Sequence, residues 1–333
     1  MSLSHPDSGL YPSQMSEAAS KEKKPFFTVV WFGSPHEPYS GLPEDLALYD
    51  DLSAKYKDKK VKLTSNETGG PTTRPQGEVL RERYAEITAM DRSIGTLRKH
   101  LAASGLRDNT LLFYCGDNGT SADGSLVLPH RGVKGQVYEG GVLVPGLIEW
   151  PARIPQPRST KVRATTSDLL PTLCALTGQP LPDRPIDGTD ILPVLDGKMI
   201  ERPKPLWFWE FDTSHLNKDE PYIDPKLQEG TCPLVKKSGG KATRDFSNFR
   251  HTTVTDSDYL GPRAIIDGHY KLVVHEQKKS GEVKQELFDL AEDPAEKTNL
   301  LDQQPDIAKK LQSELHDWQQ SVLHSLTGSD CRK

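Results

Sequence analysis

An α/β fold is predicted from the sequence: a mixed sheet flanked by helices, followed by a small C-terminal antiparallel sheet and a terminal helix. Three observations lead there. A long segment of helical period at 78–104 runs straight into an apolar run at 111–114, the succession expected of a crossover fragment. Beyond about residue 201 the pattern shortens to strand, turn and strand, as in "PRAIIDGHYKLVVH" and "KQELFDLAEDP". The last segment, "QQPDIAKKLQSELHDWQQSVLHSL", is amphipathic at helical spacing.

Residues 1–24 are polar, end in "KEKK" and are expected to be flexible or a partial element. "PFFTVVWFGSPHEPYSG" predicts a buried strand over 26–32, closed by Gly-Ser-Pro. His36 lies just beyond it, between two prolines that stiffen the loop. Residues 40–77 read as loop-rich, and "ETGGPTTRPQG" is the part least suited to a regular element. In the helix at 78–104, Leu80, Tyr84, Ile87, Ile94, Leu97 and Leu101 recur at three- and four-residue steps over most of its length, and Gly105 suits its C-terminal cap.

The run at 111–114, bounded by "RDNT" and by glycines, reads as a short buried strand in a parallel or mixed sheet. Ligands are expected outside the carboxyl ends of such strands, where both His36 and Asp117 fall. The glycines of "PHRGVKGQVYEGG" leave no room for a helix, and "VLVPGLIEW" reads as a strand interrupted by Pro145. "TTSDLLPTLCALTG" predicts a short helix with Thr166 or Ser167 as N-cap and Gly178 as terminator. "PLWFWEF" is a strand, and 212–260 is polar and irregular. The chain therefore divides into an N-terminal segment at 1–24, an α/β part at 25–200 and a C-terminal subdomain at 201–333.

Composition narrows the function classes. The 333 residues are 35% hydrophobic and 27% charged, with 26 prolines and a mean hydropathy of -0.61, as in a globular chain with long irregular stretches. A formal charge of -5 without a basic block gives no general attraction for nucleic acid or an anionic membrane. There is no 18-residue apolar run, hence no transmembrane segment is expected, and "MSLSHPDSGLYPSQM" lacks the apolar centre of a secretory signal. The literal sequence points to the cytoplasm. Cys115, Cys174, Cys232 and Cys331 are widely spaced; two sit in apolar contexts suited to a core, and Cys232 in "EGTCPLVKK" has no local base to make it a nucleophile.

The chemistry-bearing groups lie at the loops. Asp117 and Asn118, in "LLFYCGDNG", offer oxygen donors suited to a hard cation such as Ca²⁺ or Mg²⁺, although Asp-Asn-Gly is also a common turn. Lys134 in "RGVKG" can point an ammonium at an anion beside glycines that permit close approach, or be a surface lysine. His36 can donate to an anionic oxygen or serve as an acid, or hold a proline loop. Glu139 reads as a structural carboxylate that orders its loop.

Taken together, "VVWFGSPHEPY", "YAEITAMDRSIGTLRKHLAASGLRDNTLLFYCGDNG", "RGVKGQVYEGGVLVPGLIEWP", "TTSDLLPTLCALTGQPLP", "DGTDILPVLDG" and "ELFDLAEDPAEKTNL" resemble the sulfatase family, of arylsulfatase and N-acetylgalactosamine-6-sulfatase type, within the alkaline-phosphatase-like superfamily. The likeness spans about residues 26–300. It implies sulfuric ester hydrolysis on a sulfated sugar or aryl sulfate, with Asp117 and Asn118 as metal ligands, usually for Ca²⁺. By the same resemblance His36 contacts the sulfate ester, Lys134 holds a sulfate oxygen, and Gly135, Glu139 and Gly140 belong to the loop that positions that lysine. The family's nucleophile is a formylglycine made from a C-x-P-x-R cysteine, or from serine in some members. No cysteine here begins that motif, and Cys232 gives "CPLVK". The Asp-Asp ligand pair and the lysine and histidine near the formylglycine are not matched either.

The resemblance thus implies an alkaline-phosphatase-like sheet that is incomplete, with exposed apolar edge, marginal folding and little or no turnover by this chain. Two other readings stand beside it: a non-catalytic binder of anions or sulfated glycans, and a phosphate-ester or phosphonate hydrolase. Complete relatives are commonly periplasmic, lysosomal or secreted. Oligomeric state is not legible.

Overall fold

The computed structural model describes residues 22, 24–65, 68–122, 129–212, 217–221, 237–238, 241–242, 247–251, 253–276 and 282–331. The expectations for residues 1–21, for Cys232 and for much of 212–260 fall outside these. The chain forms an α/β fold in two compact units, the first comprising Met1–Gly135 with Glu139–Ser159, the second Gln136–Tyr138 with Thr160–Lys333.

The first unit is organised by one helix. Short helices α1 (Pro43–Ala47) and α2 (Asp50–Lys55) precede a hairpin of β1 (Lys60–Thr64) and β2 (Pro71–Pro75), which leads directly into α3 (Gln76–Ala103). The hairpin occupies the stretch expected to be least regular: Pro71 and Pro75 stand at its two ends, opposite Thr64 and Lys60, where the missing N–H groups cost the ladder least. Helix α3 is the expected amphipathic helix, ended by Ser104 and by Gly105 at φ +72°. Its buried stripe is rotated from the expected one. Leu80 and Leu101 are buried, whereas Ile87 faces out and Ala85 and Glu86 face in. The cause is a close crossing at Gly41, where a Cβ would stand 2.7 Å from that of Ala85. Beside it the Ser40 N–H donates to Glu86 Oε1 at 2.9 Å. Val61, Leu63 and Val79 enclose Tyr39 in a small core.

Strand β3 (Leu112–Cys115) follows, half-buried, and pairs antiparallel with β4 (Gly146–Glu149), which begins just after Pro145. The ladders described are all antiparallel, so the parallel pairing suggested by helix-then-strand succession is not formed among the described residues. The buried strand expected over 26–32 is also not formed. Residues 25–33 form neither strand nor helix, and Phe27, Val29 and Trp31 are 70%, 55% and 80% exposed. Apolar content alone does not make a strand; a neighbour must take its N–H and C=O groups. A single helical turn, α4 (Glu139–Val142), survives where the glycines argued against one.

The second unit holds helix α5 (Leu169–Thr177), whose approach is capped by Thr165 with Asp168, rather than by Thr166 or Ser167, and which ends at Gly178 with φ +69°. After α6 (Leu192–Leu195) comes β5 (Leu206–Trp209). Two small ladders follow, β6 (Asn217–Pro221) with β9 (Ser247–Arg250), and β7 (Lys237–Ser238) with β8 (Lys241–Ala242). The expected antiparallel sheet is then completed by β10 (Arg263–Asp267), β11 (Tyr270–Glu276) and β12 (Val283–Asp289), in the order β12-β11-β10-β5.

Alternation sorts this sheet into two faces. Ile265, Leu272, Val274 and Leu287 pack with Ala308, Leu311 and Leu315 of the terminal helix α7 (Pro305–Leu326), while Ala264, Ile266, Val273 and Phe288 pack on the other face with Val137 and Tyr138. Trp207 stacks on Trp318 at 5.8 Å. Cys115 and Cys174 are free and half-buried, so neither is the core filler expected of a cysteine in an apolar context.

Candidate functional site

The candidate residues lie on three loops of the first unit. Asp117, Asn118 and Gly119 follow the end of β3, the first exposed, the second half-buried and the third buried. The chain is then held to the glycine-rich loop by three backbone hydrogen bonds, and a fourth closes that loop on itself. Gly119 N–H donates to Gly141 O at 2.8 Å and Thr120 N–H to Gly140 O at 3.1 Å. Lys134 N–H donates to Thr120 O at 2.7 Å, and Gly140 N–H to Arg131 O at 2.6 Å. The glycines are there because nothing larger fits: a Cβ on Gly119 would lie 2.2 Å from Gly140 O, and one on Gly140 would lie 2.2 Å from Gly132 O. Gly135, at φ +88°, lets the chain turn directly after Lys134. Asp117, Asn118 and Lys134, which are 16 or 17 positions apart in sequence, are thereby joined through adjacent backbone, and Lys134 is exposed.

Glu139 is buried, and opens α4 with its carbonyl accepting from Leu143 N–H at 2.8 Å. That is the structural placement its sequence context suggested. Burial pushes the Cys115 thiol up, with the Asp117 carboxylate adding to the effect, so the cysteine beside the candidate ligands is held as a thiol and is not an activated nucleophile.

His36 sits on the proline loop and is exposed. Its N–H donates to Gly33 O at 3.0 Å, and Nδ1 lies 2.6 Å from Glu37 O, a carbonyl, so Nδ1 carries the proton there. A bond from Nε2 to an ester oxygen therefore requires the imidazolium. Glu37 anchors this loop by accepting from Thr64 N–H at 2.9 Å and Thr64 Oγ1 at 3.2 Å.

Two residues that sequence reasoning passed over reach the segment just past the Asp-Asn-Gly turn. Arg83 on α3 donates to Ser121 Oγ at 3.3 Å and to Thr120 Oγ1 at 3.2 Å, just past the Asp-Asn-Gly turn. Tyr39, three positions beyond His36, places its hydroxyl 3.5 Å from Ser121 Oγ. Arg83 carries the signal that could have revealed it, since it breaks the otherwise apolar stripe one turn beyond Leu80.

As a cation site the donor set falls short. Ca²⁺ takes six to eight oxygen ligands and Mg²⁺ six. Asp117 and Asn118 contribute two side chains, and among the described residues no cluster of three or more His, Cys, Asp or Glu is formed. These residues do not by themselves fit a closed cation shell, and no C-x-P-x-R segment occurs in the 333 residues to supply a formylglycine. Lys134 and His36 are both exposed on their own loops, the first joined to the Asp-Asn-Gly turn by backbone.

The sulfatase family model matches residues 7–179, just over half of the chain. Arylsulfatase A from Homo sapiens is 32% identical over 308 residues, covering 89% of this chain and 53% of that protein. An ulvan-active sulfatase from Formosa agariphila is 31% identical over 191 residues, covering 57% of this chain and 34% of that protein. The solved structure of Ps i-CgsB superposes with a TM-score of 0.65 at 19% identity, over 94% of this chain and 54% of that one, a likeness of fold. The chain spans about half the length, or less, of these relatives. Its matched segment and its fold agree, and the chain belongs to the sulfatase family.

Proposed function

We propose that this chain carries the lysine-loop portion of a sulfuric ester hydrolase, with a sulfated sugar or an aryl sulfate as its ligand. The observation that supports it is the 2.7 Å bond from Lys134 N–H to Thr120 O, which joins the lysine to the Asp117–Asn118 turn. In this reading Lys134 holds one ester oxygen and the His36 imidazolium another, while Arg83 and Tyr39 fix the turn through Thr120 and Ser121. Asp117 and Asn118 contribute two of the ligands of a hard-cation site, Ca²⁺ or Mg²⁺. The α/β stretch at 25–200 is its catalytic part. Two of the relatives that carry the comparison are by name an arylsulfatase and an ulvan-active sulfatase, which supports the ligand class.

The chain as given turns over no sulfate ester in this reading, because its 333 residues hold no formylglycine motif. The alternative of a non-catalytic binder of sulfated glycans rests on the same fact together with the partial donor set. Incubation of the purified chain with 4-nitrophenyl sulfate and Ca²⁺ separates the claims. The expected result is saturable binding without release of 4-nitrophenol, and loss of that binding in Lys134→Ala. Release that depends on Lys134 would overturn the claim of no turnover. Binding indifferent to both Lys134→Ala and His36→Ala would overturn the site. Intact mass and amino-terminal sequence of the native protein test completeness: a longer species with C-x-P-x-R converted to formylglycine makes these residues part of a working enzyme.

A further inference from the structure

The acidic net charge conceals one local excess of the opposite sign. Residues 55–62, "KYKDKKVK", carry five lysines and one aspartate, a formal +4 in a chain of -5. All five lysines are exposed. Two arginines of the same unit are neutralised, Arg74 by Glu82 and Arg81 by Asp50, each at 2.6 Å, yet among the described residues none of these lysines stands within ion-pair distance of a carboxylate. A run of charge is ordinarily a solvated face. Here the fold aligns it and leads it to the candidate site.

Alternation along β1 buries Val61 and Leu63 in the small core with Tyr39 and Val79, and so turns Lys60 and Lys62 outward. They stand about 7 Å apart along the strand. Thr64 is the third residue of that face: its hydroxyl donates to Glu37 Oε1 at 3.2 Å and its N–H to Glu37 Oε2 at 2.9 Å. Glu37 adjoins His36, so the lysine face runs into the His36 loop over a strand length of about 13 Å. At the opposite end Lys55 and Lys59 hold their ammoniums 5.2 Å and 5.7 Å from the centre of the Tyr56 ring. The ring draws two like charges to one place, where an anion would relieve their repulsion.

We propose that Lys60 and Lys62, continued by Lys55 and Lys59, hold the chain of a sulfated polysaccharide along β1 and lead it to the His36 loop. The choice of sulfate rests on the reading of His36 and Lys134 given above, and the ligand is extended from a single sulfated sugar to a polymer. The strip is one strand wide with a lysine at every second position, which suits a single flexible chain bearing charge at intervals. Its ammoniums are compact point charges that need no planar partner. Tyr56 is taken up by Lys55 and Lys59 and offers no open face for base stacking, on which single-strand nucleic-acid binding relies. An anionic bilayer presents a broad negative surface, which the acidic remainder of this chain repels.

The test is calorimetric titration of the full chain with short-chain dextran sulfate and with uncharged dextran of the same length. Dextran sulfate is expected to bind saturably, more weakly as salt rises, and dextran not to bind. Lys60→Glu combined with Lys62→Glu is expected to weaken binding by about tenfold or more, and Lys60→Gln combined with Lys62→Gln by a smaller factor. Lys99→Glu, at an exposed position of α3, should leave it unchanged. The glutamine pair carries the test should the reversed pair unfold the hairpin. 4-Nitrophenyl sulfate, too small to span the face, should bind both double variants as it binds the parent. Failure of the His36 and Lys134 reading would show as small-ester binding indifferent to Lys134→Ala, with polymer binding still sensitive to Lys60 and Lys62. Polymer binding that is absent, indifferent to both double variants, or weakened equally by Lys99→Glu overturns the lysine face. Equal or tighter binding, at matched salt, of a single-stranded oligonucleotide or of phosphatidylserine vesicles overturns the choice of a sulfated glycan.

Discussion

The backbone N–H of Lys134 donates to the carbonyl of Thr120 at 2.7 Å, three residues after Asp117. The lysine's position is thus set by main chain, and the glycines that allow the main chains to meet control the site more directly than any charged group. Gly119→Ala is expected to destabilise the first unit by about 1–3 kcal/mol or more, because its Cβ meets backbone that cannot rotate away. Gly146→Ala, with open space around its Cβ, serves as the control and should be near neutral. Hydrogen exchange at the Thr120 and Lys134 amides should accelerate in the first variant only.

Glu149 receives Arg98 Nε at 2.5 Å and Arg107 Nε at 2.8 Å, fastening β4 to α3 and to the turn after it. These guanidinium bonds, Arg98 first, hold its carboxyl below the usual carboxylate range against the opposing effect of burial. A depressed folded value means stability present above the unfolded carboxylate pKa and lost as pH falls through the folded one. Glu149→Gln should therefore lower the melting temperature at pH 7 modestly, as expected of a half-exposed pair, and the difference from the parent should shrink on acidification below pH ~4.

Glu86 behaves with the opposite sign. Burial raises its carboxyl above the usual value, more than the Ser40 bonds lower it. Its contribution is fully present below the unfolded pKa and is lost as pH rises through the raised folded one. Glu86→Gln keeps an acceptor for the Ser40 N–H and removes the buried charge, so at pH 7 it should be neutral to stabilising. Glu86→Ala removes the acceptor and should cost about 1–3 kcal/mol. Chemical denaturation of both variants at pH 4 and pH 8 checks the sign.

In the second unit Lys271 and Glu296 form a fully buried ion pair at 2.9 Å. Lys271→Met removes the cationic half of this buried pair and is expected to cost about 3–5 kcal/mol. The comparison is Leu272→Ala on the neighbouring position, where a cavity alone should cost about 2–5 kcal/mol. Chemical denaturation of the two variants measures both costs.

Elements whose partners are close in sequence were legible. Helices α3, α5 and α7 follow from period and capping glycines, and the β10–β11–β12 meander from alternation. The segment at 26–32 shows why the rest was not: its composition is that of a core strand, yet pairing depends on a neighbour that period cannot name. Within the site, Asp117, Asn118, Lys134 and His36 were visible as unusual polar groups at loop ends. The joining of Lys134 to the Asp117–Asn118 turn was not visible, because it runs through amide and carbonyl groups that every residue has. Thr120 and Arg83 act through contacts made across 14 and 37 positions of sequence, which no local pattern marks.

The row of Phe27, Val29 and Trp31 has a consequence for handling the molecule. Three large apolar side chains stand exposed at alternate positions, and a formal charge of only -5 across 333 residues opposes association weakly. Solubility should accordingly be limited by concentration well before it is limited by heat, and Trp31→Lys should raise the concentration at which turbidity sets in while leaving the melting temperature unchanged.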